Sequence, residues 1–285
     1  AASNNGLFYM WENFANYSRT FGKNDFTAMV GMSYSQNKTF SISGSYSGTQ
    51  NGTFGFEQDD PNYLYWAYAT ADANKTLSGA EAIYTRNLSY YGRLNWSYDN
   101  RYMLQASLRA DAADQSVLPV DNRWGYFPAV SGGWTISNEK FFNNIKNVVS
   151  HLKIRASWGQ NGSTASLGNY QYSAVMGSGQ LYPGINDNGE TEYIKGYLPT
   201  STGNNKLKWE TSEQIDFGID MRFLNDRLSF SVDWFNKKTK DLIVTGTRPS
   251  SSIGITVSPI NAGNVVNRGF EFDAGWQDSI GDFRY

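Results

Sequence analysis

"DNRWGYFPAVSGGW", residues 121–134, decides how this chain is read. Trp124, Tyr126, Pro128, Val130, Gly132 and Trp134 share one parity, while Gly125, Phe127, Ala129, Ser131 and Gly133 share the other. Side chains alternate between the two faces of a strand, so the stretch predicts one broad apolar surface backed by a surface of mainly small residues. The apolar surface needs a cover, and the nature of that cover is the functional question.

The same alternation extends to both sides. Leu88, Tyr90, Gly92, Leu94, Trp96 and Tyr98 alternate with Asn87, Ser89, Tyr91, Arg93, Asn95 and Ser97, and after Asp99-Asn100 the pattern resumes with Tyr102, Leu104, Ala106 and Leu108. Downstream, Leu152, Ile154, Ala156 and Trp158 form a further apolar set. Ile215 to Phe223, Leu228 to Trp234 and Phe270 to Trp276 follow in the same way. Residues 7–20 and 26–47 read as strands of less regular parity, which brings the total to about nine, with Tyr285 where a tenth would begin.

Composition agrees. Aromatic residues make up 16% of the 285, with 28 Gly and only 7 Pro, and no apolar run is long enough for a membrane helix. A net charge of -2 leaves no basic field for a nucleic-acid backbone, so no nucleic-acid partner is expected. The absence of cysteine excludes disulfides, thiol catalysis and Cys-ligated metal, and suits an exported protein. No signal peptide is present and the first Met is Met10, so the chain reads as a mature or internal piece.

Connections alternate in length. They are short at 22–25, 99–100, 224–226 and 278–282, compact at 137–150, and long at 48–84, 112–123, 161–206 and 244–264. Tight turns at one end and long loops at the other are how outer-membrane barrels are built, with the long loops outside the cell. That rule predicts Ser116, Ser178 and Ser251 to be extracellular, and Asn100 and Asp226 periplasmic. In a soluble sandwich the outward face would carry many charges. Here it is a mixture of Ser, Asn, Gln, Gly, Asp and Arg, as in a water-filled lumen, while Tyr98, Tyr102, Trp134, Trp158, Trp234 and Trp276 end the apolar face as girdle residues do. The predicted fold is therefore all-β, part of an antiparallel up-and-down transmembrane barrel whose apolar face meets the lipid bilayer. Leu104 and Phe230 should face lipid, and Gln105 and Ser231 the lumen. Pro128 lacks an N–H for the ladder, which predicts a bulge there or a strand start just before it. "NEKFFNNI", 138–145, predicts one helical turn capped by Asn138.

At these residues the chain resembles the SusC/RagA-like TonB-dependent transporters of Bacteroidetes outer membranes. "YYGRLNWSYDNRYMLQASLRAD", "NRWGYFPAVSGGW", "LKIRASWGQNG", "LKWETSEQIDFGIDMRFLNDRLSFSVDWFNKKTKDL" and "NAGNVVNRGFEF" carry the resemblance in the family's order, whereas "AADQSVLP" departs from it. The resemblance implies a barrel of about twenty-two strands, an N-terminal plug, a SusD-like lipoprotein lid, energy supplied through TonB, and an oligosaccharide or peptide substrate. On this reading residues 1–285 are a barrel portion, with the plug and the barrel C-terminus outside the chain.

Residues of the polar parity are the candidate lumen wall: Arg93, Arg109, Asp111, Asp216, Asp220, Glu271 and Asp273. Tyr170, Tyr172, Tyr182, Tyr193 and Tyr197 fall in the longest loop, where aromatic faces could meet sugars or peptide side chains, or pack the loop on itself or on the lid. His151 is the sole histidine and stands in no catalytic or metal motif. The carboxylates Asp216, Asp220, Asp233, Glu271 and Asp273 show the alternate spacing of any lumen wall, and "NDNGETE" lacks the register of a calcium loop. No catalytic residue, metal or cofactor is expected, and the expected function is non-enzymatic import. A structural or assembly role for the same barrel, and a soluble β-sandwich adhesin or lectin, are the two alternatives. Loss of uptake in a deletion strain separates the first, and solubility without detergent the second.

Overall fold

Asp99 and Asn100 both adopt left-handed backbone, φ 52° and 51°, and Arg101 N–H donates to Tyr98 C=O at 2.9 Å. Such turns match the twist of the strands that they join, which is why this Asp-Asn pair ends one strand and starts the next. The computed structural model describes residues 2–47, 49–50, 53–54, 74–79, 83–185, 187–245 and 254–285. The nine strands along the main sheet are β1 (Ala2–Phe21), β2 (Asn24–Ser47), β3 (Ile83–Tyr98), β4 (Tyr102–Ala112), β5 (Trp124–Thr135), β6 (Val149–Ser163), β7 (Glu210–Phe223), β8 (Leu228–Lys240) and β9 (Val265–Trp276). They pair in chain order within one sheet, a short strand Asn74–Gly79 pairing additionally with β2.

Two units divide the chain. Residues 1–11 with 34–87 form one, in which Arg86 Nε and Tyr34 OH both donate to Gln36 Oε1, at 3.1 and 3.0 Å. Residues 12–33 with 88–285 form the other.

In the larger unit the register places like with like. Trp96 opposes Leu104, Leu104 opposes Gly132, Trp134 opposes Ile154, Ile154 opposes Ile219, Ile219 opposes Val232 and Val232 opposes Phe272. Directly opposed residues share a face, so the apolar parity is continuous from β3 to β9. Leu104, Phe217, Phe270 and Phe272 remain exposed on it, and among the described residues no second sheet packs there as a sandwich would require. The other face carries Asn95, Gln105, Ser131, Ser157 and Asp216 in one row.

The apolar band has polar stops at both ends. At the tight-turn end Tyr98, Tyr102 and Trp134 stack in sequence, with centroids 6.3 Å apart at each step. Tyr102 OH and Trp134 Nε1 donate to the carboxylate of Glu139 at 2.6 and 3.2 Å, and Arg101 reaches the same group at 3.0 Å. At the long-loop end Trp158 Nε1 donates to Glu213 at 2.9 Å, and Glu213 pairs with Lys240. Aromatic rings that bury their bodies in the band and turn their N–H or O–H outward suit a membrane interface.

Two expectations need correction. β5 runs through Pro128 without a bulge, in unbroken register with β4. Pro128 is tolerated because the ladder to β6 begins only at Ala129, so the missing N–H falls where pairing on that side has not started. The connection 136–148 holds two short 3₁₀ segments, Ile136–Asn138 and Lys140–Ile145, rather than a turn capped by Asn138. Asn138 Nδ2 instead donates to Asn100 C=O at 2.8 Å, tying two neighbouring turns together.

Candidate functional site

The polar face is organised around Arg155. β6 presents it between β7 and β8: its Nε reaches Asp220 at 3.1 Å and its Nη2 reaches Asp233 at 2.6 Å. Gly218 lies beneath, and a Cβ there would meet both the Asp233 carboxylate and the Arg155 guanidinium, so any larger residue would have to push this bridge aside. One row away Asp216 accepts from Ser157 Oγ at 2.9 Å and from Gln214 Nε2 at 2.7 Å. A cleft of about 490 Å³ opens beside these groups, with Asn95, Gln105, Ser131, Ser157, Arg155 and Asp216 on its walls.

A second cluster forms on β3 and β4. Arg109 Nε binds both oxygens of Asp111, at 2.7 and 2.8 Å, its Nη2 donates to Ser89 Oγ at 3.0 Å, and its guanidinium carbon lies 5.8 Å from the Tyr91 ring centroid. Tyr91 reaches across Gly31 of β2 to donate to Glu12 of β1 at 2.7 Å. Arg93 opposes Ser107 on the same face. Glu271 opposes Asp233, and Asp273 opposes Ser231, both on β9. Like charges directly opposite repel, so Arg155 relieves the Asp233 side of that pair.

All seven predicted wall residues therefore share one face, but they form separate groups: Arg109 with Asp111, Asp220 bridged by Arg155, and Arg93, Asp216, Glu271 and Asp273 spaced along the wall. Arg155, Asp233 and Glu12 complete these groups and were absent from the predicted wall set. The alternation of 151–158 and 228–235 already placed Arg155 and Asp233 on the polar parity; their meeting across three strands depends on register.

The five tyrosines do not come together. Tyr172 is a packing residue, its OH donating to Gln115 C=O at 2.8 Å and its ring lying on the small core of Ala113, Leu118 and Leu207. Tyr170 stands beside it, ring centroids 6.5 Å apart. Tyr182, Tyr193 and Tyr197 belong to a separate hairpin, Val175–Ile185 with Thr191–Ser201, inside what reads from sequence as an irregular loop. Tyr182 lies over Gly196 on one face of it, and Tyr193 and Tyr197 on the other. Ser116, read from sequence as an extracellular loop residue, is buried within its loop, because Asp114 and Asn169 both bond it and Leu118 draws the loop onto the core. Ser251 lies outside the described residues. His151 Nδ1 sits 3.4 Å from Ser137 Oγ at the tight-turn end.

A sheet with one continuous apolar face, one continuous polar face and its longest connections at a single end is built as a segment of an outer-membrane barrel wall. Residues 2–285 match the model of the TonB dependent receptor-like β-barrel, and the chain belongs to that family. It is 31% identical over 265 residues to the TonB-dependent receptor SusC of Bacteroides thetaiotaomicron, which covers 91% of this chain and 24% of SusC. It is 30% identical over 262 residues to TonB-dependent receptor P39 of Formosa agariphila, covering 91% of this chain and 23% of that protein. The fold superposes on the RagAB peptide importer in its open-open state with a TM-score of 0.80 at 24% identity, covering 99% of this chain and 28% of the other. The chain thus spans about a quarter of the length of the relatives it matches. As a member of this family it is a SusC-like protein of the bacterial outer membrane.

Proposed function

We propose that the intact protein is a TonB-dependent, non-enzymatic importer of oligosaccharides or peptides that works with a SusD-like surface lipoprotein. The polar face is then the wall that substrate passes, with Arg93, Arg109, Asp111, Asp216, Asp220, Glu271 and Asp273 on it and Arg155 and Asp233 joining them. The observation that carries this reading is the two-faced sheet itself, in which a continuous row of Asn95, Gln105, Ser131, Ser157 and Asp216 backs a continuous apolar band. Water and a hydroxyl-rich or amide-rich solute can exchange hydrogen bonds along such a wall, and the salt bridges hold its charged groups in place. The long connections lie outside the cell, where they meet the lipoprotein.

Deletion of the gene tests this reading. Import predicts loss of TonB-dependent uptake of a defined oligosaccharide or peptide, restored by the full-length gene. Unchanged uptake of every substrate, together with loss of a surface complex, would instead establish an assembly role.

A further inference from the structure

The apolar face of β7, β8 and β9 ends in charge at one edge only. Beyond Phe217, Trp234 and Phe270 the same parity continues toward the long connections as Ile215 and Glu213 on β7, Asn236, Lys238 and Lys240 on β8, and Arg268 on β9. At the tight-turn edge it carries Met221, Phe223, Leu228, Phe230, Ala274 and Trp276, with no charge.

Among the described residues Glu213 is the one carboxylate of this patch, and it is already engaged. Trp158 Nε1 donates to Glu213 Oε1 at 2.9 Å, and Lys240 holds Oε2. Three cations thus share one anion, and among the described residues neither Lys238 nor Arg268 has an ion pair. Both are exposed. Glu210 belongs to the polar parity, and on the adjoining connections Lys208 pairs with Asp241. The exposed Asp121 shares a rim cleft with that pair, bordered by neither Lys238 nor Arg268.

Lys238 directly opposes Val266 and Asn236 opposes Arg268, which makes Lys238 and Arg268 diagonal neighbours about 7–8 Å apart at the backbone. Long side chains from such positions can converge on one phosphate group, Arg268 offering a planar fork of donors and Lys238 a point charge. Lys238 is ten steps along β8 from Leu228. At about 3.3 Å per step and a tilt of about 40° this spans about 25 Å across the membrane, the height of the apolar band. The two cations therefore stand where hydrocarbon gives way to headgroups. Phe217, Phe270 and Phe272 are exposed below them and offer a floor for acyl chains. Free phosphate would use the charges alone, whereas a phosphorylated lipid uses charges and floor together.

We propose that Lys238 and Arg268 bind the phosphate of a phosphorylated lipid in the outer leaflet, its acyl chains lying along the apolar face of β8 and β9. The site is separate from the lumen wall and goes beyond the importer reading, from which it takes only the outward orientation of the long connections. The test is native mass spectrometry of the full-length protein in detergent, titrated with diphosphorylated lipid A, with the same lipid dephosphorylated, and with inorganic phosphate as competitor. Lys238→Gln combined with Arg268→Gln should weaken binding of the phosphorylated lipid about tenfold or more, as for two basic groups at an anionic membrane surface, while Lys237→Gln, next in sequence but on the polar face, should change it less than about twofold. Lys238→Arg combined with Arg268→Lys keeps both charges and should retain binding. Unchanged binding in the double Gln variant, equal binding of the dephosphorylated lipid, or an equal loss in Lys237→Gln would each overturn the proposal. Displacement of the lipid by inorganic phosphate at equal affinity would overturn the lipid assignment, and failure of the double Gln variant to fold would make the pair structural and overturn it too. Loss of the lipid site with TonB-dependent uptake intact would leave the importer reading standing; lipid binding without any uptake would do the reverse.

Discussion

Trp124 and Trp134 lie on the same face of one strand, and each stacks on a tyrosine: Tyr90 at 6.1 Å and 16° for the first, Tyr102 at 6.3 Å and 18° for the second. The ten residue-to-residue steps from one to the other, at about 3.3 Å each, cover about 33 Å along the strand. A tilt of about 40° reduces this to about 25 Å across the membrane, the height of the apolar band of an outer-membrane barrel. Leu104, Leu108, Tyr126 and Val130 fill the interval and remain exposed to the bilayer side.

Face assignment can be tested at adjacent residues. Leu104 lies within that band and Gln105 on the opposite face, opposed by Gly132 and Ser131 respectively. An arginine facing mid-bilayer costs about 2–4 kcal/mol, and far less in a lumen. Leu104→Arg should therefore lower the stability of the full-length protein refolded into lipid by about that amount, measured by urea titration, while Gln105→Arg should shift it little. Equal losses would invalidate the face assignment.

Arg155 couples three strands. Its side chain and those of Asp220 and Asp233 are partly exposed, so the pairs are worth about 1 kcal/mol or less each after solvent screening. A double-mutant cycle of Arg155→Met with Asp233→Asn should return a coupling of about 0.5–1 kcal/mol. Gly218→Ala should disturb the same bridge by pushing the guanidinium aside, and a cycle combining it with Arg155→Met should be non-additive. Additivity in both cycles would show that the bridge contributes nothing to stability.

The tight-turn end should have a defined acid limit. Hydrogen bonds from Tyr102, Arg101 and Trp134 hold the Glu139 carboxyl below its ordinary pKa, and a hydrogen bond from Lys23 does the same for Asp99. A group with a depressed folded pKa contributes stability above its unfolded pKa, and loses it as pH falls through the folded value. Stability should therefore be insensitive to these groups from neutrality down to about 4.3, the ordinary Glu value, and decline below it. Glu139→Gln should be less stable at neutral pH and should flatten the acid decline, as read from Trp fluorescence of the full-length protein. An identical pH profile in the variant would exclude Glu139 as the responsible group.

Orientation can be read by labelling. The chain has no cysteine, so single cysteines report without background. Ser116 is buried and unsuitable; Gln115 beside it is exposed, as are Ser178, Asn100 and Asp226. An impermeant maleimide on intact cells making the full-length protein should label Gln115→Cys and Ser178→Cys. Asn100→Cys and Asp226→Cys should react only after the outer membrane is breached. Labelling of the latter pair in sealed cells would invert the proposed orientation.

The sequence by itself determined which residues share a face. Alternation is a local property of a strand, so Trp124, Val130 and Trp134 had to lie opposite Phe127, Ser131 and Gly133 once a strand was granted, and the nine strands and their alternating connections followed. It also bounded the cover of the apolar face, since the opposite face carries too mixed a set of polar residues for a soluble outer surface.

Only the tertiary structure decided what meets across strands and what packs outside the sheet. Arg155 is 65 residues from Asp220 and 78 from Asp233, and their contact depends on two registers and on the gap at Gly218. Glu139 reads as one more polar residue in a connection, yet it collects Tyr102, Trp134 and Arg101 because the turn folds back beneath them. The hairpin of 175–201 is obscured by Gly177, Gly179, Pro183, Gly184 and Gly196, which interrupt its alternation. Tyr170 and Tyr172 look equivalent in sequence; what separates them is that Leu118 and Leu207, from two different connections, converge beneath one ring while a left-handed backbone turns the other outward. Such convergence is set by contacts between residues far apart in the chain, about which a period of two carries no information.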